Sequence, residues 1–258
     1  MMRYLVFLPA LLMFGCTWMR DVEPTAAAPL EPLPPPSLEG FVPLFNGIDF
    51  TNWRVPEGDG GHWQVIDGVI DYDAMSQAQG DKNLWTEEEF GDFTLVMDWR
   101  LKEAIGLYPM YLIQPDGSHL QDAFGNDIIV PSPNADSGVY VRGTPKAQVN
   151  IWCWPVGSGE VWGYRMDRNM PPEVRAGVTP NIKADHPVGE WNNFVITMKG
   201  DRLTVVLNGF MVIDDVQLPG VPERGRIALQ HHGGRGRDGR MSSASSLVQF
   251  RNIYIKEL

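Results

Sequence analysis

Alternation of apolar and polar residues with a period of two recurs along this chain and restricts its fold more than any other feature. Every second residue from Phe93 to Leu101 is apolar, which is typical of a strand with one buried face. A similar pattern over residues 202–208 ends at Asn208-Gly209, a strong signal for a tight hairpin turn. Residues 226–232 and 247–256 are predicted as further strands, and we expect the last to pair with a strand near the start of the domain.

The strands are separated by long loops, and no strand–helix–strand rhythm is visible. The 27 glycines and 21 prolines favour a turn-rich architecture over a helical bundle. We therefore predict an all-β fold, a jelly-roll β-sandwich of two antiparallel sheets with long loops and few short helices. Thr86–Glu89 is the clearest candidate for such a short helix.

The first sixteen residues have the pattern of a signal peptide. Arg3 precedes an apolar run over residues 4–14, which is too short for a membrane span of about 20 residues. Gly15-Cys16 resembles the lipobox of bacterial lipoproteins, so two processing routes are open: lipidation of Cys16, or plain cleavage that removes it. Either route predicts an exported protein of the periplasm or cell envelope, with membrane contact only through an N-terminal lipid anchor.

Residues 17–40 are rich in proline and alanine and lack hydrophobic periodicity, which predicts a semi-rigid extended tether. The folded part is then one domain, residues 41–258. Its charge argues against a nucleic-acid partner, because 21 basic side chains face 32 acidic ones and the formal net charge is −11. Cys153 is predicted to be a lone, buried thiol.

One predicted strand carries the best candidate for a binding surface. Gln148, Asn150, Trp152 and Trp154 alternate with apolar residues and form a polar, aromatic face. Tyr140 and Arg142 are expected to share a second such face. Amide and guanidinium donors beside flat rings suit a sugar, so a small carbohydrate is the predicted partner. Alternatively, the tryptophans cap the core and Arg142 pairs with Asp98.

Two adjacent histidines follow a predicted strand, and successive strand residues point to opposite faces. His231 is therefore expected to face the core, and His232 to share a face with Gln230. Either imidazole is a candidate general base. Glu160, in a glycine-rich loop, is the best-placed single acid near the polar face.

Other acidic groups give weaker signals. No strand shows the alternating acidic residues of a two-carboxylate glycosidase, and residues 87–89 are expected to form a solvated edge. Asp116, Asp122 and Asp127 lie in a polar segment that could wrap a divalent cation such as calcium, although their irregular spacing favours a plain surface insertion.

Several short motifs together resemble one family of exported bacterial domains, known as DUF1080. The matching segments cover nearly all of residues 41–258 and are 45–53 (FNGIDFTNW), 63–69 (WQVIDGV), 137–142 (SGVYVR), 190–192 (EWN), 207–209 (LNG), 227–233 (IALQHHG) and 250–256 (FRNIYIK). The resemblance implies a concanavalin-like fold. It also implies action on 3-keto-glycosides, by a 1,2-lyase step followed by hydration of the 2-hydroxy-glucal.

The resemblance assigns roles to the residues already singled out. The catalytic set is His232 or His231 as base, Arg142 with Gln148 as donors to the enolate oxygen, and Glu160 or Asp98 as acid or metal ligand. The substrate-binding set is Asp98, Arg100, Tyr140, Gln148, Asn150, Trp152, Trp154 and Gln230. Relatives commonly carry an acidic residue where this chain has Lys146.

That replacement keeps two other functions open. The domain is alternatively a non-catalytic carbohydrate-binding module, supported by Trp152 and Trp154. A third alternative is a structural or adhesive envelope lipoprotein, in which the proline-rich tether is the main functional feature.

Overall fold

The computed structural model describes residues 31–258. The predicted signal peptide, Cys16 and residues 17–30 of the predicted tether lie outside this range. Within it, no helix combines the length and apolar character needed to cross a bilayer.

Two antiparallel sheets form a sandwich, so the predicted fold class is confirmed. The larger sheet has eight strands in the order β13-β12-β11-β6-β15-β4-β3, with β1 also paired to β15. Its strands are β1 (Val42–Pro43), β3 (Trp63–Ile66), β4 (Val69–Asp73), β6 (Phe93–Leu101), β11 (Asn192–Lys199), β12 (Arg202–Leu207), β13 (Phe210–Gln217) and β15 (Leu247–Glu257).

The smaller sheet has five strands in the order β10-β9-β14-β5-β2. Its strands are β2 (Trp53–Arg54), β5 (Leu84–Phe90), β9 (Asp136–Tyr140), β10 (Gln148–Trp152) and β14 (Gly225–Leu229). A separate two-stranded arm consists of β7 (Leu107–Tyr111) and β8 (Ile129–Pro133). The short helices are α1 (Trp162–Arg165) and α2 (Pro172–Gly177), besides one 3-10 turn, Pro145–Ala147.

The core lies between the two sheets and is built from the alternating residues that the sequence predicted. The alternating apolar positions of β6, every second residue from Phe93 to Leu101, are at most 3% exposed. The predicted hairpin is also confirmed: Asn208 and Gly209 both have positive φ angles, 52° and 83°, as the twist of a two-residue turn requires. The expected pairing of β15 with an N-terminal strand is present, since Val42 lies opposite Ile255.

The predicted helix at Thr86–Glu89 is wrong, because these residues lie inside β5. The Thr86 hydroxyl accepts a hydrogen bond from the Ile227 backbone nitrogen at 3.0 Å and donates to the Glu88 carbonyl at 2.8 Å. Cross-strand pairing on both sides of β5 therefore outweighs any local helical preference.

Residues 31–40 form neither helix nor strand and lie on the outer face of the eight-stranded sheet. The Leu33 nitrogen donates to the Gly209 carbonyl at 2.8 Å. Leu33 and Leu38 help to line a groove of about 500 Å³ whose floor includes Val96 and Tyr254. Asp98 is the one carboxylate among its lining residues, and no histidine, cysteine, lysine or arginine lines it. The groove therefore lacks a pair of groups suited to acid–base catalysis.

Candidate functional site

Strand register brings a set of polar side chains onto the outer face of the five-stranded sheet. Gln148 lies opposite Tyr140, and Trp152 lies opposite Asp136. Asp136, Gln148 and Trp152 line a cavity of about 470 Å³ together with side chains from β7, α1 and the loop after β14. The lining residues are Tyr108, Asn134, Asp136, Gln148, Asn150, Trp152, Trp154, Trp162, Gln230, His232 and Ser242–Ala244.

Gly138 makes room for an amide network on the cavity floor. The Gln148 Nε2 group donates to Gln230 Oε1 at 2.6 Å and to the Ser137 carbonyl at 3.3 Å. A Cβ atom at Gly138 would collide with the Gln148 amide, so glycine is what lets this side chain cross β9. Both amide hydrogens of Gln148 are engaged, which weakens its predicted role as a donor to the enolate oxygen.

Asp136 is the acidic group of the cavity. It is 8% exposed, and in the described range its Oδ1 atom has no hydrogen-bond partner. Burial raises the pKa of this carboxyl to about 7, and the nearby His232 opposes the shift. At neutral pH a substantial fraction of Asp136 is therefore protonated and able to donate a proton.

His232 lies beside this carboxyl, with 3.8 Å between His232 Nδ1 and Asp136 Oδ2. His232 Nδ1 is 2.6 Å from the Ala244 carbonyl oxygen, which can only accept, so Nδ1 carries a hydrogen. In the neutral ring, Nε2 then holds the basic lone pair. The Ser246 hydroxyl accepts from the His232 nitrogen and donates to the Asp136 carbonyl, both at 2.7 Å, which fixes the two backbones together.

Two tryptophans form a wall of the cavity. The rings of Trp152 and Trp154 stack with centroids 4.0 Å apart. Trp152 donates to the Gly157 carbonyl at 2.6 Å, and Trp154 donates to Asn134 Oδ1 at 2.8 Å. Trp152 is only 2% exposed, so it supports the wall and presents little surface to a ligand.

Six of the predicted site residues line the cavity. They are His232, Gln148, Asn150, Trp152, Trp154 and Gln230. Tyr140 lies on the same sheet face but is packed against Trp85, with ring centroids 5.8 Å apart, and is outside the lining.

His231 faces the core, as strand alternation predicted, and it is therefore excluded as the base. Its Nδ1 atom is 2.5 Å from the Tyr72 hydroxyl oxygen. Burial lowers the pKa of His231 to about 4. Of the two candidate bases, only His232 lies at the cavity.

Arg142 is not a site residue, contrary to the prediction. Its φ angle of 54° breaks the alternation after β9, so its side chain leaves the face that Tyr140 occupies. The guanidinium donates to the Gly91 and Pro222 carbonyls at 2.8 and 2.9 Å, and to Asp92 at 2.8 Å. The alternative pairing of Arg142 with Asp98 is equally wrong.

Glu160 is fully buried, and its carboxylate is paired with Arg165 away from the cavity, so it does not reach a substrate. Asp98 and Arg100 lie on the other sheet. Asp98 accepts from Asn193 at 2.9 Å and from Asn252 at 2.8 Å. Arg100 donates to Gln249 and stacks over a tryptophan ring, so both residues are structural.

The acidic surface segment makes local contacts only. Asp116 accepts from the Ser118 nitrogen, Asp122 from the Phe124 nitrogen, and Asp127 lies 2.8 Å from His119. Within residues 31–258, no group of three or more acidic, histidine or cysteine side chains is placed to hold a metal.

Lys146 and Cys153, which the sequence analysis singled out, both make contacts outside the cavity lining. Lys146 binds Asp167 at 2.7 Å and lies over the Tyr164 ring. Cys153 is a partly buried free thiol, with its sulfur 3.2 Å from the Pro133 carbonyl.

Sequence reasoning missed Asp136, the one carboxyl group among the cavity-lining residues. A signal was present, because Asp136 precedes Tyr140 by four residues and therefore shares its strand face. Tyr108, Asn134, Trp162 and Ser242–Ala244 were also missed. They come from loops, from the arm and from the four-residue helix α1, where the sequence shows no periodicity to follow.

Comparison with known proteins identifies the family. Residues 40–256 match the model of the 3-keto-alpha-glucoside-1,2-lyase-like domain, and the chain belongs to this family of carbohydrate-active domains. Among curated protein sequences, no significant match was found.

Two of the similar solved structures share the fold of this chain. Two crystal structures of a "putative glycosyl hydrolase" from Parabacteroides distasonis ATCC 8503 have TM-scores of 0.51. They are 22% and 21% identical to this chain, cover 85% and 84% of it, and are themselves covered over 94% and 99% of their lengths. The carbohydrate-binding module CBM66 from Bacillus subtilis is 14% identical, over 81% of this chain and 98% of that one, with a TM-score of 0.40. At these identities the likeness to the two Parabacteroides distasonis structures establishes the fold alone.

Proposed function

We propose that this protein cleaves 3-keto-glycosides by eliminating the group at C1 and then hydrating the product. The observation that carries the proposal is the pairing of Asp136 with His232 in one cavity. One group is a carboxyl with a pKa of about 7, and the other is an imidazole whose Nδ1 is held by a carbonyl. Elimination needs one acid and one base, and this pair supplies both.

In the elimination step, His232 Nε2 takes the proton from C2, which the neighbouring C3 ketone makes acidic. The electron pair forms an enolate, then returns to restore the ketone while a C1–C2 double bond forms and the C1–O bond breaks. The leaving oxygen takes the proton of Asp136. The products are a 2-hydroxy-3-keto-glucal and the free aglycone.

Hydration runs the proton transfers in reverse. Water adds to C1, the Asp136 carboxylate takes its proton, and His232 returns a proton to C2. Both groups recover their starting states, and the net reaction is hydrolysis. We assign the donor for the enolate oxygen to Asn150, whose amide has a second hydrogen beyond the one it donates to the Glu160 carbonyl at 2.9 Å.

The cavity is poorly suited to a divalent cation. Asp136 is the one carboxylate among the cavity-lining residues, whereas calcium sites ordinarily use several acidic oxygens. These donors do not fit calcium well, and no step above passes through a metal.

The reaction is tested by incubating the full chain with a 3-keto-disaccharide in deuterated water. We expect release of both sugars, with deuterium at C2 of the keto sugar, because elimination removes that hydrogen and direct hydrolysis at C1 does not. Incubation of the free keto sugar alone measures spontaneous exchange. Absence of release, both with added divalent metal and with a chelator, would overturn the proposal.

Carbohydrate binding without catalysis is the second candidate. The half-exposed rings of Tyr108 and Trp162 at the cavity favour it, since aromatic faces hold sugars without any acid or base. Glycan binding that survives Asp136→Asn and His232→Asn, with no turnover by the wild-type protein, would select it.

Export remains a proposal based on residues 1–16. Mass spectrometry of the mature chain distinguishes a lipidated Cys16 from a chain cleaved beyond it.

A further inference from the structure

Two aromatic side chains at the cavity are left unexplained by the proton-transfer chemistry. Tyr108 is 50% exposed and Trp162 is 48% exposed, although both line the cavity. What sets these two rings apart from a singly exposed aromatic residue is that both line one concave cavity, where ring faces can stack on a ligand. By contrast, Trp152 is buried and Trp154 is held by Asn134.

The segment carrying Trp162 is held firmly by buried contacts. Trp162 begins α1, and the next residue, Gly163, packs so closely on the Lys146 backbone that a Cβ would lie 2.5 Å from the Lys146 carbonyl oxygen. Arg165, at the end of the same helix, pairs with the fully buried Glu160. The exposed Trp162 ring is therefore held in position by the buried contacts that Gly163 and Arg165 make on the protein side of α1.

The same buried pair reaches the arm that carries Tyr108. Arg165 Nη1 donates to the Gly117 carbonyl at 3.5 Å, in the segment that joins β7 to β8. Gly117 also packs closely on α2, since a Cβ there would lie 2.8 Å from the Arg175 carbonyl oxygen. The Glu160–Arg165 pair therefore links the two segments that bring aromatic rings to the cavity.

The volume of the cavity and the charges of its lining residues restrict the size and charge of the ligand that it can bind. Its volume is about 470 Å³, more than one sugar ring fills, and none of its lining residues is a lysine or arginine. The site thus has room for a second, uncharged ring beside the sugar.

We propose that Trp162 and Tyr108 form a binding site for a planar, uncharged aglycone, such as an aryl group on the anomeric oxygen. This inference names the aglycone of the substrate in the proposed function, and it rests on that function for the identity of the sugar to which the aglycone is attached. The buried Glu160–Arg165 pair positions the two rings and does not touch the ligand.

The test measures binding of two unoxidised glucosides, which the proposed reaction does not consume. Calorimetry with 4-nitrophenyl glucoside and with methyl glucoside of the same anomer separates the aryl group from the sugar. We expect Trp162→Ala and Tyr108→Ala each to weaken aryl glucoside binding about tenfold and to leave methyl glucoside binding unchanged. Trp162→Phe retains a flat ring and should recover most of the affinity.

Phe124 supplies a matched control, because it is an aromatic side chain in the segment between β7 and β8 that is 90% exposed and lies outside the cavity lining. Phe124→Ala should bind both glucosides as the wild type does. The aglycone site is refuted if Trp162→Ala and Tyr108→Ala bind the aryl glucoside normally, or if they lose methyl glucoside equally. A wild-type protein that lacks turnover but shows the expected binding pattern would refute the reaction and keep the aglycone site.

Discussion

Asp136 and Glu160 are two buried carboxyl groups whose surroundings differ in two respects: access to a cavity and the charged group beside them. Burial raises the pKa of each to about 7, and each has one fully buried oxygen without a hydrogen-bond partner among residues 31–258. Asp136 opens onto a cavity and lies beside an imidazole, whereas Glu160 is sealed and paired with Arg165. A perturbed pKa therefore reports loss of solvent, and only access and a complementary neighbour make the group useful for chemistry.

The sharpest test of this comparison is activity. Asp136→Asn removes the proton donor and should lower kcat/KM about 10²–10⁴-fold, and His232→Asn should do the same. Glu160→Gln makes the same carboxyl-to-amide replacement at a residue that does not reach the cavity. This variant should retain turnover within about tenfold of the wild type. Steady-state kinetics on a 3-keto-glycoside provides the measurement. Equal losses in Asp136→Asn and Glu160→Gln would remove the distinction drawn between them.

The free energy of unfolding should depend more on the Glu160–Arg165 pair than on Asp136, the reverse of the order expected for activity. Arg165→Met leaves the Glu160 carboxylate buried without its partner and should lower the free energy of unfolding by about 3–5 kcal/mol. The double variant Glu160→Gln/Arg165→Met removes both charges and should recover most of that loss. At pH 5, where the folded Asp136 carboxyl is protonated, Asp136→Asn should change stability by about 1 kcal/mol or less. Urea denaturation measures the free energy of unfolding of all three variants. A loss of less than about 1 kcal/mol in Arg165→Met would contradict a stabilising role for the Glu160–Arg165 pair.

The pH dependence of stability gives a third test, with a defined sign. A carboxyl whose folded pKa lies above its unfolded value binds more protons in the folded state, so its stabilisation is complete at acid pH and is lost as pH rises towards 7. Each such group contributes at most about 1.4 kcal/mol per pH unit. Asp136→Asn should therefore flatten the fall in stability between pH 5 and 7. A variant as steep as the wild type would show that Asp136 titrates normally.

The smallest expected effect concerns the floor of the cavity. Gly138→Ala forces the Gln148 amide out of its place and should cost about 1–3 kcal/mol, with a loss of activity of about tenfold. Gly138→Ala/Gln148→Ala removes the collision and should regain the stability without the activity. Thermal melts and kinetics of the two variants separate packing from the amide network. Unchanged activity in Gly138→Ala would show that the network is dispensable.

Much of the fold and part of the site could be predicted from local pattern. Side-chain alternation in a strand depends only on neighbouring residues, so β6, the Asn208-Gly209 turn and the face of Gln148 and Asn150 were predicted correctly. The same rule correctly placed His231 on the core side and His232 on the other. It failed at Arg142, where one residue with positive φ reverses the side-chain direction.

The sequence by itself determined the family and most of the core strands with their faces, because these depend on motifs spread along the chain and on short-range periodicity. Only the tertiary structure decided which acid is accessible. Asp136 and Glu160 lie 24 positions apart, and nothing local distinguishes a carboxyl that meets His232 from one that meets Arg165. Burial and partnership come from contacts between distant segments, such as the loop that brings Ala244 to His232. Those contacts set the desolvation of each carboxyl and hence its chemistry.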